Sequence, residues 1–300
     1  MFARNNLPVL IGIALLSGMF LMGQETWQIF DVVDFPDPNL EAVVREAIGK
    51  PVGSIYADDL LGLEVLVASD RDISDLTGLE YCVDLRGLYL DFNQISDLNP
   101  LAALTGLTSL TLAVNPIVDV GPLSGLSNLD FLVLEGNLIE DVGPLAGLHN
   151  LTGLSLCGNP LILDMSPISG LTHLTDLGVC ENQLTDLGFL VGLSNLTFLQ
   201  ASFNQITDIT QVAGLLNLEM LILMGNEISD VSPVVGLLNL DYLMLADNDI
   251  SDIEPLVLNL GLDAGNWVDI RWNPLSEDPS CSVYVPALEG RGVNVDHDCP

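Results

Sequence analysis

Positive charge is what this chain has least of: 7 Lys and Arg stand against 41 Asp and Glu in 300 residues, a formal net charge of -34. A field of that sign repels phosphate, which excludes nucleic acid and anionic membrane surfaces as partners. The self-repulsion is eased by salt or divalent cations, so the acidity fits either a saline, mineral-rich habitat or plain acidic solubility. Histidine is also scarce, with His149, His173 and His297 scattered and no Cys-His group at zinc spacing. Absent as well are G-x-S-x-G, H-E-x-x-H and any glycine-rich phosphate loop, so no enzyme is expected. Carboxylates are so common that any one pair is uninformative; Asp247 and Asp269 are the pair to examine for glycan hydrolysis as an alternative. With 27 Gly and 16 Pro the chain is neither collagenous nor wholly disordered, and 49% hydrophobic content suffices for one large core.

Long uncharged apolar runs are confined to the amino terminus. Leu7 to Gly23 carries no charge, follows Arg4 and precedes Gln24-Glu25, so residues 1–23 read as an export signal. The run is at the lower edge of what spans a bilayer, which leaves an uncleaved anchor as the alternative and as the one membrane contact expected. No Cys follows it to take a lipid, and Asp298-Cys299-Pro300 offers no apolar anchor. The expected location is therefore secreted or on the surface of a bacterial-type envelope.

From Leu61 onward one pattern recurs. Leu85, Leu88, Leu90, Asn93, Ile95, Asp97 and Leu101 return as Leu107, Leu110, Leu112, Asn115, Ile117, Asp119 and Leu123. The Asn column runs 93, 115, 137, 159, 182, 204, 226, 248 and 273, with Arg71 at the equivalent earlier place; its spacing is 22 except for one step of 23 and one of 25. Agreement in several columns over ten rungs is the signature of a solenoid. Each L-x-L pair alternates as a short strand, and its inward leucines are buried only by stacking on the next rung. At a strand spacing of about 4.8 Å the body is roughly 45 Å long.

The Asn column falls at the strand end, where an inward amide can satisfy backbone groups of its own turn and of the adjacent rung. The Asp column (75, 97, 119, 141, 164, 186, 208, 230, 252) precedes an apolar residue and often Pro-Leu, placing a carboxylate where a short helical turn opens. Capping is the primary expectation; a ladder of calcium-binding carboxylates is the alternative, and calcium is the one cofactor left open. The ends must be closed. Residues 24–60 read as a linker and a capping helix, with Asn39 before an apolar periodic run and Gly49 after it. Residues 61–275 form the solenoid, and 276–300 a terminal cap laid across the last rung. Cys281 and Cys299 flank that cap and are the expected disulfide in an exported protein. Cys82 reads as a buried small hydrophobe. Cys157 and Cys180 occupy one column of adjacent rungs, close enough for a disulfide or for two neighbouring thiols.

Residues six, four, two and one positions before each Asn are expected to face outward. In the first half they are small or mixed, with Tyr89 and Phe92 as a minor patch. In the second half Phe198, Phe203, Met220, Ile222, Met224, Tyr242, Met244, Trp267 and Trp272 form an apolar strip over four rungs, bordered by Glu181, Asp247 and Asp269. Such patches mark contact surfaces, and Met and aromatics are what interface centres contain. The competing expectation is that the terminal segment covers Trp267 and Trp272.

The unit L-x-x-L-x-L-x-x-N-x-I-x-D of 22 residues resembles the bacterial internalin-type class of leucine-rich repeats, over about residues 36–300. Pro38-Asn-Leu-Glu-Ala-Val-Val-Arg and Asn266-Trp-Val-Asp-Ile-Arg-Trp-Asn are similar to end modules of secreted bacterial repeat proteins. The resemblance implies an α/β solenoid, a leucine-rich-repeat horseshoe with a parallel concave sheet, short 3-10 turns on its convex side and a helical N-terminal cap. It implies a concave face that recognises a protein or glycan without catalysis. No recognition residue carries over, and the chain shows no wall-sorting motif or separate domain after the repeats. A structural scaffold of the envelope or extracellular space, with no specific concave-face ligand, is the alternative.

Overall fold

A computed structural model describes residues 31–300, so the export segment expected at 1–23 lies outside the described residues. Strands β1 (Val32–Val33) and β2 (Ile55–Tyr56) pair antiparallel, with helix α1 (Pro38–Ala47) between them in the chain. The repeat then supplies one three-residue strand per rung: β3 (Val65–Val67), β4 (Gly87–Tyr89), β5 (Ser109–Thr111), β6 (Phe131–Val133), β7 (Gly153–Ser155), β8 (Asp176–Gly178), β9 (Phe198–Gln200), β10 (Met220–Ile222), β11 (Tyr242–Met244) and β12 (Trp267–Asp269), and the terminal segment adds β13 (Asn294–Asp296). These eleven form one parallel sheet in sequence order. Short 3-10 turns such as Gly121–Gly125 and Ser232–Gly236, and helices α2 (Glu254–Leu258) and α3 (Val285–Gly290), complete the rungs.

Leucines stack in register: Leu88 pairs with Leu110 and Leu221 with Leu243, all four fully buried. Burying each such side chain contributes roughly 1.5–3 kcal/mol, and no rung could do it alone. The Asn column sits beneath the turn. Asn226 accepts from Ile206 N–H of the preceding rung (3.1 Å) and donates to the carbonyls of Ala201 (3.0 Å) and Leu223 (3.0 Å). Asn93, Asn115, Asn137, Asn204 and Asn248 repeat that pattern. The Asp column faces its own turn: all nine carboxylates accept the N–H two residues on at 2.7–2.9 Å. Hydrogen bonds from Ser166 and from Thr210 hold the Asp164 and Asp208 carboxyls below the usual range. Among the described residues no group of three or more His, Cys, Asp or Glu is gathered to hold a metal.

A second amide ladder runs at the opposite end of each strand. Asn128, Asn150, Asn195, Asn217 and Asn239 each donate to a carbonyl of the rung before at 2.8–2.9 Å, and His173 fills the same place with Nδ1 2.7 Å from His149 O. The 25-residue step is absorbed around Asn259, which is fully buried and donates to Val234 O (2.8 Å) and Leu237 O (3.0 Å).

Two expectations about the ends need correction. The helix cap is Asp37, not Asn39: Asp37 Oδ1 accepts from Asn39 and Leu40 N–H, and Pro38 opens the helix. Asp37 Oδ2 also accepts from Ser74 N–H (2.8 Å) and Asp75 N–H (3.3 Å), tying α1 to the first rung while Leu40, Val43 and Val44 enter the core. At the far end the terminal segment covers the last rung, with Val285, Leu288 and Val293 in the core, but pairs along it instead of crossing it. Asn294–Asp296 extends the sheet as β13, in register beside β12, and lies within the loop closed by the Cys281–Cys299 disulfide. Backbone pairing explains the difference, because an added strand satisfies the edge of β12 that a crossing segment would leave open.

Candidate binding face

Alternation within the strands sets the outward columns. Phe198, Met220, Tyr242 and Trp267 share one register line across β9 to β12, and Gln200, Ile222, Met244 and Asp269 share the next. Tyr242 is 45% exposed and Trp267 40%, while Phe198, Met220, Ile222, Met224 and Met244 are half-buried against one another's rungs. The structure therefore places these residues on one face. Alternation stops with the strand, however, and the position two before the Asn is mostly not outward: Ser202 and Ala246 are buried, as are Cys157 and Cys180, which are joined by a disulfide.

The residue immediately before the Asn adopts left-handed backbone in every rung from Phe92 to Trp272. Gly136, Gly158 and Gly225 fill it in three rungs, but Phe92, Val114, Glu181, Phe203, Asp247 and Trp272 sit there at φ of 55–58°. A side chain in that region costs about 1–2 kcal/mol relative to Gly. Phe203 and Trp272 nonetheless remain 56% and 62% exposed. Neither side chain is repaid for that strain by burial in the core. Phe203 lies over Gly225, where an added Cβ would come within 2.5 Å of its ring.

Neither the protein-family models nor the curated proteins match this chain. Solved structures do. Internalin InlF of Listeria monocytogenes matches with a TM-score of 0.80 and 32% identity, covering 88% of this chain and 77% of that one. The chain belongs to the internalin family. Internalin InlC2 of the same organism is 42% identical at a TM-score of 0.69, over 71% of this chain and 94% of its own. A plant peptide hormone receptor, RGFR1, solved in complex with RGF2, shares the fold at 20% identity and a TM-score of 0.59, over 70% of this chain and 36% of that one.

In this internalin-family chain β13 lies beside the tryptophans instead of covering them. Trp267 Nε1 donates to Asp296 Oδ2 (3.2 Å) and Trp272 N–H to Asp298 Oδ2 (2.5 Å), with both rings still open to solvent. Arg271 Nε and Nη2 donate to the two oxygens of Asp269 (2.9 and 2.6 Å), and its guanidinium lies 5.3 Å from the Trp272 ring centre. These hydrogen bonds, foremost among the causes, raise the arginine's pKa further. Asp269 is 3% exposed and held in that pair, so it does not stand open on the sheet face beside Asp247 as the alternation suggests.

The opposite end of the face is more apolar than Tyr89 and Phe92 alone suggest, since Val65, Val67, Val114 and Phe131 are exposed there too. Its register line is broken, though: Val65 is followed by Gly87 and Ser109 before Phe131. Between the two ends Gly153 and Gly178 present no side chain. An open trough of about 760 Å³ runs along the start of β9 to β12, lined by Thr197, Glu219, Asp241, Asp263 and Asn266 among others. It directly borders the Phe198–Trp267 line, because Thr197, Glu219, Asp241 and Asn266 each precede one of its members. Cys82 is free and buried, and burial pushes its thiol up to about 12, which keeps it unreactive.

Proposed function

We propose that this chain acts outside the cell as a non-catalytic binding module whose sheet face over β9 to β12 receives a protein partner. The observation that carries the reading is the unbroken register line Phe198–Met220–Tyr242–Trp267, flanked by Ile222, Met224, Met244, Phe203 and Trp272. Deformable thioethers and aromatic rings in one patch suit the apolar side chains of a protein better than the hydroxyls of a glycan. Two disulfides suit an oxidising exterior. Among the described residues no helix is long and apolar enough to cross a membrane. The plant receptor solved with RGF2 supports use of this fold for protein recognition.

The test pairs wild-type protein with Tyr242→Ser/Met244→Ser, both immobilised against extracellular proteins from the surroundings of the source cell. Both residues point away from the core, so circular dichroism and melting should be unchanged. Truncating two central contacts should weaken the captured partner by about a hundredfold. Equal recovery by the two proteins would remove the strip from the binding site.

A further inference from the structure

The strip does not stand in neutral surroundings. No Lys or Arg lies anywhere between Arg86 and Arg271. Among the described residues, Lys and Arg ion pairs occur only towards the two ends, at Arg45–Glu41, Lys50–Asp59 and Arg271 with Asp269 and Asp296. Four other carboxylates beside the strip, by contrast, have no cation paired with them. Glu219 and Asp241 border it along the trough, and Glu181 and Asp247 border it in the left-handed column. Asp241 is met only by the neutral amide of Asn266 (3.0 Å).

A neutral partner pressed onto the strip would strip water from these charges with no compensation, and an acidic one would add repulsion. A second copy of the chain would bring the same -34. A basic segment meets both features at once: the methylene stems of Lys and Arg lie along Met and aromatic surface while their heads reach the carboxylates at the margins. The molecule already holds one such side chain at the end of the strip, where Arg271 stacks at Trp272 and grips Asp269 with two hydrogen bonds.

We propose that the occupant of the β9 to β12 face is a Lys/Arg-rich, partly apolar protein segment, seated with its stems on Met220, Tyr242 and Trp267 and its cations at Glu219, Asp241 and Asp247. This rests on the face being the binding site, and adds which partner chemistry it selects.

The probe is a labelled extended peptide alternating Lys or Arg with Leu and Tyr, compared with the same peptide carrying Glu in place of each cation, by fluorescence anisotropy at 0.15 M NaCl. The basic peptide should bind and the acidic one should not. Glu219→Gln/Asp241→Asn/Asp247→Asn should weaken binding about tenfold, as expected for three partly screened pairs. A remote neutralisation of equal size, Glu46→Gln/Asp58→Asn/Glu140→Gln, should change it less than about twofold. Equal losses from the marginal and remote variants would show attraction to net charge alone and overturn the proposal. So would comparable binding of both peptides. If that comparable binding is lost in Tyr242→Ser/Met244→Ser, the face remains a binding site while its selectivity for basic segments falls.

Discussion

Asn226→Ala is expected to destabilise the solenoid by about 3 kcal/mol, more than its modest size suggests. The amide sits 8% exposed, so removing it leaves the Ile206 N–H buried without an acceptor and takes from the Ala201 and Leu223 carbonyls one of their two amide donors, Asn204 and Asn248 remaining as the others. Those groups belong to two successive rungs, so the loss falls on the coupling between neighbours from which a repeat array draws its cooperativity. Asn217→Ala is the natural control. It removes one exposed hydrogen bond to Ser194 O, and should cost under about 1 kcal/mol because water replaces the partner. Urea unfolding of the two variants separates them; equal midpoints would mean that the buried ladder is not what binds rung to rung.

Asp37→Ala should cost about 2–3 kcal/mol at neutral pH, and the cost should fade in acid. The side chain caps α1 and at the same time accepts two backbone N–H groups of the first rung, so its removal uncouples two elements at once. Burial raises its pKa, but the hydrogen bonds from Ser74, Leu40, Asp75 and Asn39 together outweigh burial and hold the carboxyl below its ordinary value of 3.8. A depressed folded-state pKa means that the stabilisation is complete above the unfolded value and disappears as pH falls through the lower folded one. The gap between wild type and variant should therefore be constant from pH 5 to 7 and shrink only below about pH 4. A gap that widened in acid, or that vanished already at pH 6, would contradict the assignment.

Columns were the legible part of this molecule. Ten rungs, the inward leucines, the Asn under each turn and the Asp opening each 3-10 turn follow from identities that recur at one period, because every rung solves the same backbone problem in the same way. What did not recur was hard to read. Asp37 acts once, through partners 37 and 38 residues away, whereas Asn39 has only the local look of a cap. β13 carries no leucine signature, and its place is set by the open edge of β12. The second amide ladder does recur, as Asn128, Asn150, Asn195, Asn217 and Asn239, but an Asn in a polar loop resembles any other until its carbonyl partner is known.

The face itself was legible as far as strand alternation reaches and no further. Phe198, Met220, Tyr242 and Trp267 fall within strands and face outward in line. Ser202 and Ala246 lie past the strand ends and are buried. The left-handed column could have been suspected from Gly136, Gly158 and Gly225 recurring in one place, but not the strain at Phe203 and Trp272, which only backbone angles reveal. Nor does the sequence disclose that Arg271 takes Asp269 out of reach, since a pairing two residues apart depends on how the turn bends.

The most direct measurement is hydroxyl-radical footprinting of the protein with and without its captured partner, read at residues that oxidise readily. Binding at the β9 to β12 face predicts severalfold protection of Met220, Tyr242, Met244 and Trp267 together, with Phe92 and Tyr81 at the other end unchanged. Protection at Phe92 and Phe131 with the four strip residues still fully reactive would move the binding site to the opposite end of the sheet and contradict the account.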